Sequence, residues 1–400
     1  MEWARKLVAV LCLLTALASI FQILSSRRYG WDYDVYCGSI KAVQAGLDPY
    51  YAENSRKFVG HALVLPYPLG ALVFLGPACI QPRALYPALY AVMLAGVALW
   101  AWRLGVGDPW MLAALLSGGF ATASWNFYTG NTGIIELLAV AAALHGLVYK
   151  RHGVAGLALG LVSAVKLTPL GFAVVFGAVL LRERTRRELM VFGAGLVAGF
   201  ATIHVLSLLI GPGYEYSYLL QVAGLIPDQH AAIRETSADA SNPTLMLLLK
   251  DVLERLRAPK GSWALAYGLF LAAGAWQCCR IWRRDPDPLT IWAFGMLLAC
   301  LMLPRLKPYS FTYALLPVAY LSMRLSPPRQ MALLGVGCLV ALWHLHAPFD
   351  ALVSRHILKV ILGCSQVLTL VAVTGLLLWW HRARWDTAPA VESRPAPAKS

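Results

Sequence analysis

Apolar segments of about 17 to 25 residues recur along nearly the whole sequence, and they constrain the fold more than any other feature. A helix of that length spans the hydrocarbon core of a bilayer. Of the 400 residues, 59% are hydrophobic and only 14% are charged, which leaves too little polar surface for a water-soluble protein. The sequence therefore predicts an all-α, polytopic membrane protein.

The apolar blocks predict twelve membrane crossings. Block 153–181 is longer than one crossing needs, and Lys166 and Pro169 interrupt it near its middle. This pattern predicts a broken hairpin, in which case block 109–124 becomes re-entrant, so the topology of residues 103–181 stays open. The predicted spans are residues 6–24, 64–80, 85–102, 109–124, 132–149, 153–181, 189–210, 262–282, 288–303, 309–324, 330–347 and 357–380.

The net charge of +14 lies in short loops beside the apolar blocks, which favours a topology signal over nucleic-acid binding. In the second half of the chain, arginines recur in every second loop, which predicts that these loops and both termini are cytoplasmic. Residues 1–384 are expected to form one transmembrane domain. Residues 385–400, rich in Pro, Ala and Ser, are expected to form a disordered cytoplasmic tail.

Most of the eight cysteines lie in apolar blocks, and their spacing is not that of a metal site. We therefore expect neither a disulfide framework nor a bound metal. Glu136 and the histidines within apolar blocks are expected to be mostly structural, with hydrogen bonds to neighbouring helices.

Two loops expected on the outer face, residues 25–63 and 211–261, are too long to be simple connections. Each contains the apolar stripe of an amphipathic helix, which predicts two helices at the membrane surface. In the second loop, Asn242 is expected to cap the helix and Pro243 to begin it. In the first loop the stripe consists of Tyr36, Ile40, Val43 and Leu47.

The first outer loop also contains carboxylates that can act as a general base. In a glycosyl transfer, such a base removes the proton of the acceptor hydroxyl as its oxygen attacks the anomeric carbon. Asp34 is the preferred candidate, although an Asp near the start of a helix often serves only as its cap. Asp48, followed by Pro49, is expected to form a turn.

Several short motifs follow one another in a distinctive order: Asp34-Val35-Tyr36, Gly46-Leu47-Asp48-Pro49-Tyr50, Pro66-Tyr67-Pro68, Gly130-Asn131, the segment Gly156 to Pro169, and Asn242-Pro243-Thr244-Leu245. Together they resemble glycosyltransferase family 87, the polyprenyl-phosphate-mannose-dependent group. The resemblance covers residues 30–320 and implies the GT-C fold. It implies an inverting hexosyl transfer, with mannose as the expected sugar, from a polyprenyl-phosphate donor to a lipid or glycan acceptor of the cell envelope on the outer face of the cytoplasmic membrane. No metal or cofactor is expected.

The resemblance also implies roles for individual residues. Asp34 matches the catalytic carboxylate of the first outer loop, and Asp32 is the second candidate for that role. Tyr313 stands where the family often has a histidine. If that histidine contacts the donor phosphate in relatives, this protein must use another group, such as Lys307 or Arg305, or bind a different donor. The residues expected to contact substrate are Tyr36, His61, Asn131, Asn242 and Tyr313.

Cations near a leaving phosphate lower the barrier to transfer, because negative charge grows there. Lys166 is the strongest candidate, since an ionisable residue inside an apolar block is costly and points to function. Arg305 and Lys307 are further candidates. The alternative for all three is that their charged ends simply reach the lipid headgroups.

A transporter or lipid-carrier translocase is the competing hypothesis. Its best support is the expected helix break at Lys166, since broken helices form substrate sites in transporters. The two long outer loops with surface helices and the Asp32/Asp34 pair favour the transferase, because a transferase needs both a base and a cover. The oligomeric state is left open.

Overall fold

The computed structural model describes residues 1–25, 29–60, 64–79, 85–182, 186–226, 243–304, 306–343 and 364–387. Within these ranges the chain is helical and contains no strand, which confirms the predicted all-α class. The helices are α1 (Glu2–Ser25), α2 (Trp31–Gln44), α3 (Ala52–Val59), α4 (Leu72–Cys79), α5 (Leu85–Arg103), α6 (Pro109–Gly118), α7 (Thr122–Thr129), α8 (Gly133–Val148), α9 (His152–Val165), α10 (Thr168–Arg182), α11 (Arg186–Ile210), α12 (Pro212–Val222), α13 (Leu245–Arg255), α14 (Ser262–Arg284), α15 (Pro288–Met302), α16 (Leu315–Ser322), α17 (Pro327–Trp343) and α18 (Ser365–Thr387).

Four of these helices, α1, α5, α11 and α14, are long and apolar enough to cross a membrane. Large apolar side chains on them remain exposed, among them Phe21 and Leu209. Exposed apolar side chains on long helices are expected where lipid replaces water. Shorter apolar helices accompany these four: α8, α9, α10 and α15.

The structure does not confirm twelve crossings. The predicted span 64–80 contains only the eight residues of α4 as α-helix, about 12 Å of rise. The predicted span 309–324 is divided between a 3₁₀ segment, Pro308–Ala314, and the eight-residue α16. Block 109–124 is interrupted between α6 and α7, where Phe120 and Ala121 have positive φ angles of 50° and 56°. Apolar composition alone does not reveal these irregular segments.

The break predicted in block 153–181 is confirmed. Helix α9 ends at Val165, and Lys166 adopts an extended conformation with φ −136° and ψ 134°. Pro169 is the second residue of α10, where its missing N–H has no intrahelical partner to lose. The break leaves Lys166 between two helices rather than on the face of one.

Helices α9 and α11 approach each other closely along a stripe of glycines. A Cβ atom at Gly156 or Gly160 would overlap a backbone oxygen of α11, and one at Gly195 or Gly199 would overlap a backbone oxygen of α9. Small residues allow such close contact between membrane helices. The packing holds α9, and therefore the position of Lys166 at its end, against the long helix α11.

Helices form where both amphipathic stripes predicted them, as α2 and α13. Tyr36 is buried on α2, and Asp48 forms the expected turn by accepting a hydrogen bond from the backbone N–H of Tyr50 at 2.9 Å. The predicted start of α13 is wrong, because its cap is Thr244, whose hydroxyl accepts from Leu247 N at 3.3 Å. A threonine hydroxyl serves this purpose as an asparagine would.

A disulfide joins Cys37 of α2 to Cys79 at the end of α4, although the cysteine pattern in the sequence predicted no disulfide framework. The two Cα atoms are 5.3 Å apart, which is within the normal range for a disulfide. Cys37 falls between Tyr36 and Ile40 of the apolar stripe and Cys79 falls in an apolar block, so their surroundings in sequence resemble those of buried free cysteines. The bond attaches α2 to the segment that carries Tyr67.

The remaining predictions about the chain end are only partly within the described residues. Helix α18 continues to Thr387, three residues into the segment expected to be disordered. The rest of that segment lies outside the described residues.

Candidate active site

Two glycines bring the start of α2 against the end of α7. Gly30 precedes α2 with φ 80°, and its N–H donates to Tyr128 O at 2.7 Å. Gly130 follows α7 with φ 73°, and a Cβ added there would lie 2.7 Å from Cβ of Tyr33. A larger residue at Gly130 would therefore separate the two segments. Their contact places the first turn of α2 beside the loop that carries Asn131.

A group of polar side chains, here called the polar cluster, meets at this point. It is assembled from α2, the loop before α4, the loop between α7 and α8, α8 itself, the break between α9 and α10, and the 3₁₀ segment Pro308–Ala314. Its members are Asp32, Tyr36, Tyr67, Asn131, Thr132, Glu136, Lys166 and Tyr313.

A continuous chain of hydrogen bonds crosses the polar cluster. Asn131 Nδ2 donates to Asp32 Oδ2 at 2.6 Å, and Lys166 Nζ donates to Asn131 Oδ1 at 2.6 Å. Lys166 Nζ also donates to Glu136 Oε1 at 2.5 Å. The second oxygen of Glu136 accepts from the hydroxyl of Tyr313. Each charged group in this chain therefore has a fixed polar partner.

The polar cluster has a buried back and a partly exposed front. At the back, Glu136 is 1% exposed and Tyr313 is 0% exposed, so neither is accessible to a substrate. At the front, Asp32, Lys166 and Lys307 keep partial exposure. The front thus presents one carboxylate and two ammonium groups.

The environment of Asp32 makes its carboxyl easier to protonate than that of an ordinary aspartate. Burial raises the pKa of this carboxyl, while the hydrogen bond from Asn131 and the charges of Lys166 and Lys307 act in the opposite direction without cancelling it. A carboxylate with a raised pKa is a stronger base than an ordinary aspartate, which suits it to accept a proton.

Tyrosines line the polar cluster on the side of α2. The hydroxyls of Tyr36 and Tyr67 are 3.3 Å apart, and that of Tyr67 is 3.4 Å from Thr132 Oγ1. Burial raises the pKa of Tyr36 and of Tyr67, so both phenols stay protonated. The Lys166 ammonium lies 4.5 Å from the ring centroid of Tyr309, a cation–π distance.

The structure brings together five of the residues singled out from sequence, and their positions differ from front to back. Tyr313 lies behind Glu136, whereas Asp32 and Lys166 lie at the front. His61, Arg305 and Asn242 lie outside the described residues. The five, which are linked by hydrogen bonds, are Asp32, Tyr36, Asn131, Lys166 and Tyr313. Lys307 also lies at the front, where its charge acts on Asp32.

Asp32 and Asp34 occupy different sides of α2. Neither is the N-cap, which is Gly30, so the capping alternative does not apply to either residue. Asp32 and Tyr36 are one helical turn apart and both contact Asn131. Asp34 is two residues from Asp32, about 200° around the helix axis. The face of α2 that meets Asn131 is thus the face of Asp32.

Glu136, which was expected from the sequence to be structural, lies in the site beside Lys166. It and Lys166 are opposite charges in separate apolar blocks, and buried charges are usually paired. That pairing rule is the signal that connects them. The ion pair of 2.5 Å between Glu136 Oε1 and Lys166 Nζ now explains how both charges are tolerated at their depth.

The fold and the site together define a helical membrane protein with ionisable groups gathered at a helix break. The family model of glycosyltransferase family 87 matches residues 65–304, well over half of the chain. The chain belongs to glycosyltransferase family 87 and is a membrane glycosyltransferase. This confirms the resemblance seen in its motifs. No curated protein and no solved structure matches the chain.

The matched range divides the polar cluster. Asn131, Glu136 and Lys166 lie inside it, whereas Asp32 on one side and Tyr313 on the other lie outside. The family match therefore covers the centre of the hydrogen-bonded chain, and the contacts in the structure connect its two ends.

Proposed function

We propose that this glycosyltransferase moves a hexose, with mannose as the first candidate, from a polyprenyl-phosphate donor to a lipid or glycan acceptor. The observation that carries the proposal is the front of the polar cluster, where Asp32 is linked through Asn131 to Lys166. A carboxylate beside cations provides both a base for the acceptor and positive charge for the leaving phosphate.

Asp32 is the proposed general base, in preference to Asp34. The hydrogen bond from Asn131 orients Asp32, and burial raises its pKa. Both properties support proton transfer from a hydroxyl. Asp34 matches the family motif, and it remains the alternative that mutation must test.

The proposed reaction balances without a further reactant. The acceptor oxygen bonds to the anomeric carbon from the face opposite the phosphate, and the bond from that carbon to the phosphate oxygen breaks with inversion. The acceptor proton passes to Asp32, and the bonding electron pair leaves with the polyprenyl phosphate. Asp32 loses one negative charge as the phosphate gains one, so the total charge of the site stays constant.

Lys166 and Lys307 are the proposed contacts of the donor phosphate. An ammonium group has three N–H donors, and the contacts to Asn131 and Glu136 use two of those of Lys166. The third can bind a phosphate oxygen at the partly exposed front. These cations supply charge that a divalent metal supplies in other transferases, so we propose a metal-independent reaction.

The proposed site faces the outside of the cytoplasmic membrane. The Cys37–Cys79 disulfide supports this orientation, since disulfides persist in oxidising compartments and are rare in the cytosol. The arginine-rich loops in the second half support it independently through the positive-inside rule. In this orientation α2 lies at the outer surface, and the polyprenyl chain of the donor enters laterally from the bilayer.

The experiment uses the full chain in liposomes with radiolabelled polyprenyl-phosphate-mannose and a lipid extract from the source membrane as acceptor. We expect label to appear in a new lipid or glycan product in proportion to the amount of protein. Movement of labelled donor between leaflets without any new product would contradict the proposal and favour the translocase. Label transferred from a different polyprenyl-phosphate sugar would correct only the identity of the hexose.

A further inference from the structure

The contacts of Lys166 show a cation that is close to Asp32 without touching it. Its ammonium is held on one side by Glu136 Oε1 and on the other by Asn131 Oδ1, at 2.5 and 2.6 Å. The amide of Asn131 lies between Lys166 and Asp32. Among the described residues, the salt bridge that Lys166 forms is with Glu136.

The orientation of the Asn131 amide follows from Lys166. An ammonium group can only donate hydrogen bonds, so the amide must turn its oxygen to Lys166 and its NH₂ to Asp32. The Asn131 backbone is fixed separately, because its carbonyl accepts from Tyr90 OH and its N–H donates to Thr129 Oγ1 at 3.2 Å. Lys166 thus decides that Asp32 is a hydrogen-bond acceptor, the role of an ionised carboxylate.

Glu136 holds the other side of Lys166. Its carboxylate is fixed by hydrogen bonds from Thr132 and Tyr313, and it is 1% exposed. Without this counter-charge, the flexible Lys166 side chain would be drawn to the next carboxylate, Asp32. A direct ion pair would lower the basicity of Asp32 and occupy the oxygen that must accept the proton.

We propose that Glu136 and Asn131 are positioning residues that hold the Lys166 ammonium one amide away from Asp32, where it favours the ionised base without pairing with it. This inference rests on the proposed role of Asp32. Glu136 acts through Lys166 and does not touch the substrate. The buried ion pair is then a device for positioning, which agrees with the small net stability that such pairs usually provide.

The pH dependence of kcat/KM tests this inference, because it reports the protonation of the base in the free enzyme. The groups around Asp32 that carry charge or titrate come from every element packed at the cluster. They are Glu136 of α8, Lys166 of the helix break, Lys307 and Tyr309 at the 3₁₀ segment, Tyr36 of α2, Tyr67 of the loop before α4 and Tyr90 of α5.

At low pH, kcat/KM falls as the base becomes protonated, and this part of the profile is called the acid limb. Two substitutions are expected to move the acid limb in opposite directions along the pH axis. In Glu136→Gln the freed Lys166 pairs with Asp32, so the limb moves down by about one pH unit and the plateau falls about tenfold. Lys166→Met removes the positive charge near Asp32 and leaves the Asn131 amide without the partner that orients it. Ionised Asp32 is then less favoured, so the acid limb moves up by about one pH unit. A role limited to stability would move neither limb.

Glu215→Gln is the matched control, because Glu215 is another buried glutamate, paired with His204 at 2.6 Å outside the polar cluster. We expect its acid limb to coincide with that of the wild type. Tyr313→Phe removes one hydrogen bond to Glu136 and is expected to shift the limb downward by less than Glu136→Gln does. It decides the question if Glu136→Gln does not fold.

The inference is overturned if the Glu136 and Tyr313 variants keep the wild-type limb or shift it upward. That result is distinct from failure of the proposed function. If Asp32→Asn transfers sugar at the wild-type rate, the base itself is wrongly assigned. If Asp32→Asn is inactive while the limb is unmoved in Glu136→Gln and Tyr313→Phe, only the positioning role falls.

Discussion

Two aspartates in this protein, Asp32 and Asp287, have similar neighbours and opposite properties. Each is partly exposed, and each lies near a basic residue and tyrosines. Asp287 Oδ2 alone accepts from Thr290, Tyr320 and Arg324 at 2.6 to 2.9 Å. Asp32 Oδ2 accepts from Asn131 at 2.6 Å, and Thr129 adds a smaller hydrogen-bond contribution.

Because the two carboxyls have different hydrogen-bond donors, their pKa values shift in opposite directions. Burial tends to raise the pKa of both carboxyls. At Asp287, hydrogen bonds from Tyr320 and Thr290 and the charge of Arg324 outweigh burial, so its pKa is lowered. At Asp32 burial prevails and its pKa is raised. The same residue type thus serves as a structural anchor between α15 and α16 in one region and as a candidate base in the other.

Among the substitutions that test this comparison, the largest expected effect is the loss of activity in Asp32→Asn. Asp32→Asn removes the proposed base and should lower the rate of sugar transfer about 1,000-fold, a typical contribution of general base catalysis. Asp287→Asn should leave the rate within about threefold of the wild type once the amounts of folded protein are equal. The rates are measured as labelled product per folded protein. Comparable losses in the two variants would break the distinction.

The second largest expected effect is on donor binding, through the cations at the front of the polar cluster. Lys166→Met and Lys307→Met each remove a charge proposed to bind the donor phosphate, and we expect donor KM to rise about tenfold with acceptor KM nearly unchanged. Arg324→Met is the control, since Arg324 pairs with Asp287 at 2.7 Å. Unchanged donor saturation in both lysine variants would remove them from the phosphate site.

For the stability of the fold, unlike for activity, substitution of Asp287 should have a larger effect than substitution of Asp32. The lowered pKa of Asp287 means that its ionised form stabilises the fold above the pKa of the unfolded chain, and this stabilisation is lost as the pH falls through the folded pKa. Asp287→Asn should therefore cost about 1 kcal/mol at pH 7, seen as a lower midpoint of thermal unfolding in detergent.

The contribution of Asp32 to stability has the opposite dependence on pH. Because its folded pKa is raised, its ionised form disfavours the fold as the pH rises through that pKa. Asp32→Asn should leave the unfolding midpoint at pH 7 unchanged or higher. A drop as large as that of Asp287→Asn would show that Asp32 is also an anchor.

The smallest expected effect is that of metal removal. In the proposed mechanism Lys166 and Lys307 supply the charge at the phosphate, so the rate in excess chelator should equal the rate in added Mg²⁺ or Mn²⁺. The chelator is tested on the full chain in the same liposomes. Loss of activity that returns on addition of a divalent metal would contradict the proposed metal-independent transfer.

Hydropathy predicts much of the fold because it depends on local composition. The long apolar helices, the amphipathic stripe of α2 and the break at Lys166 all follow from residues within one segment. The crossing count does not follow, because apolar blocks such as 64–80 and 309–324 also contain short or 3₁₀ segments. Composition does not distinguish a buried irregular segment from a span.

The site depends on contacts that no single segment contains. Asp32 and Asn131 are 99 residues apart, and their meeting requires the close packing at Gly130. The choice between Asp32 and Asp34 is a rotation about the axis of α2, which tertiary packing decides. The disulfide of Cys37 likewise depends on where α4 lies, 42 residues further along.

The most direct test of the account compares Asp32→Asn with Asp34→Asn in one liposome preparation with saturating labelled donor. The two substitutions make the same chemical change two residues apart on one helix. The account predicts product at background level for Asp32→Asn and a rate within about threefold of the wild type for Asp34→Asn. The reverse result, with Asp34→Asn inactive and Asp32→Asn active, would contradict it.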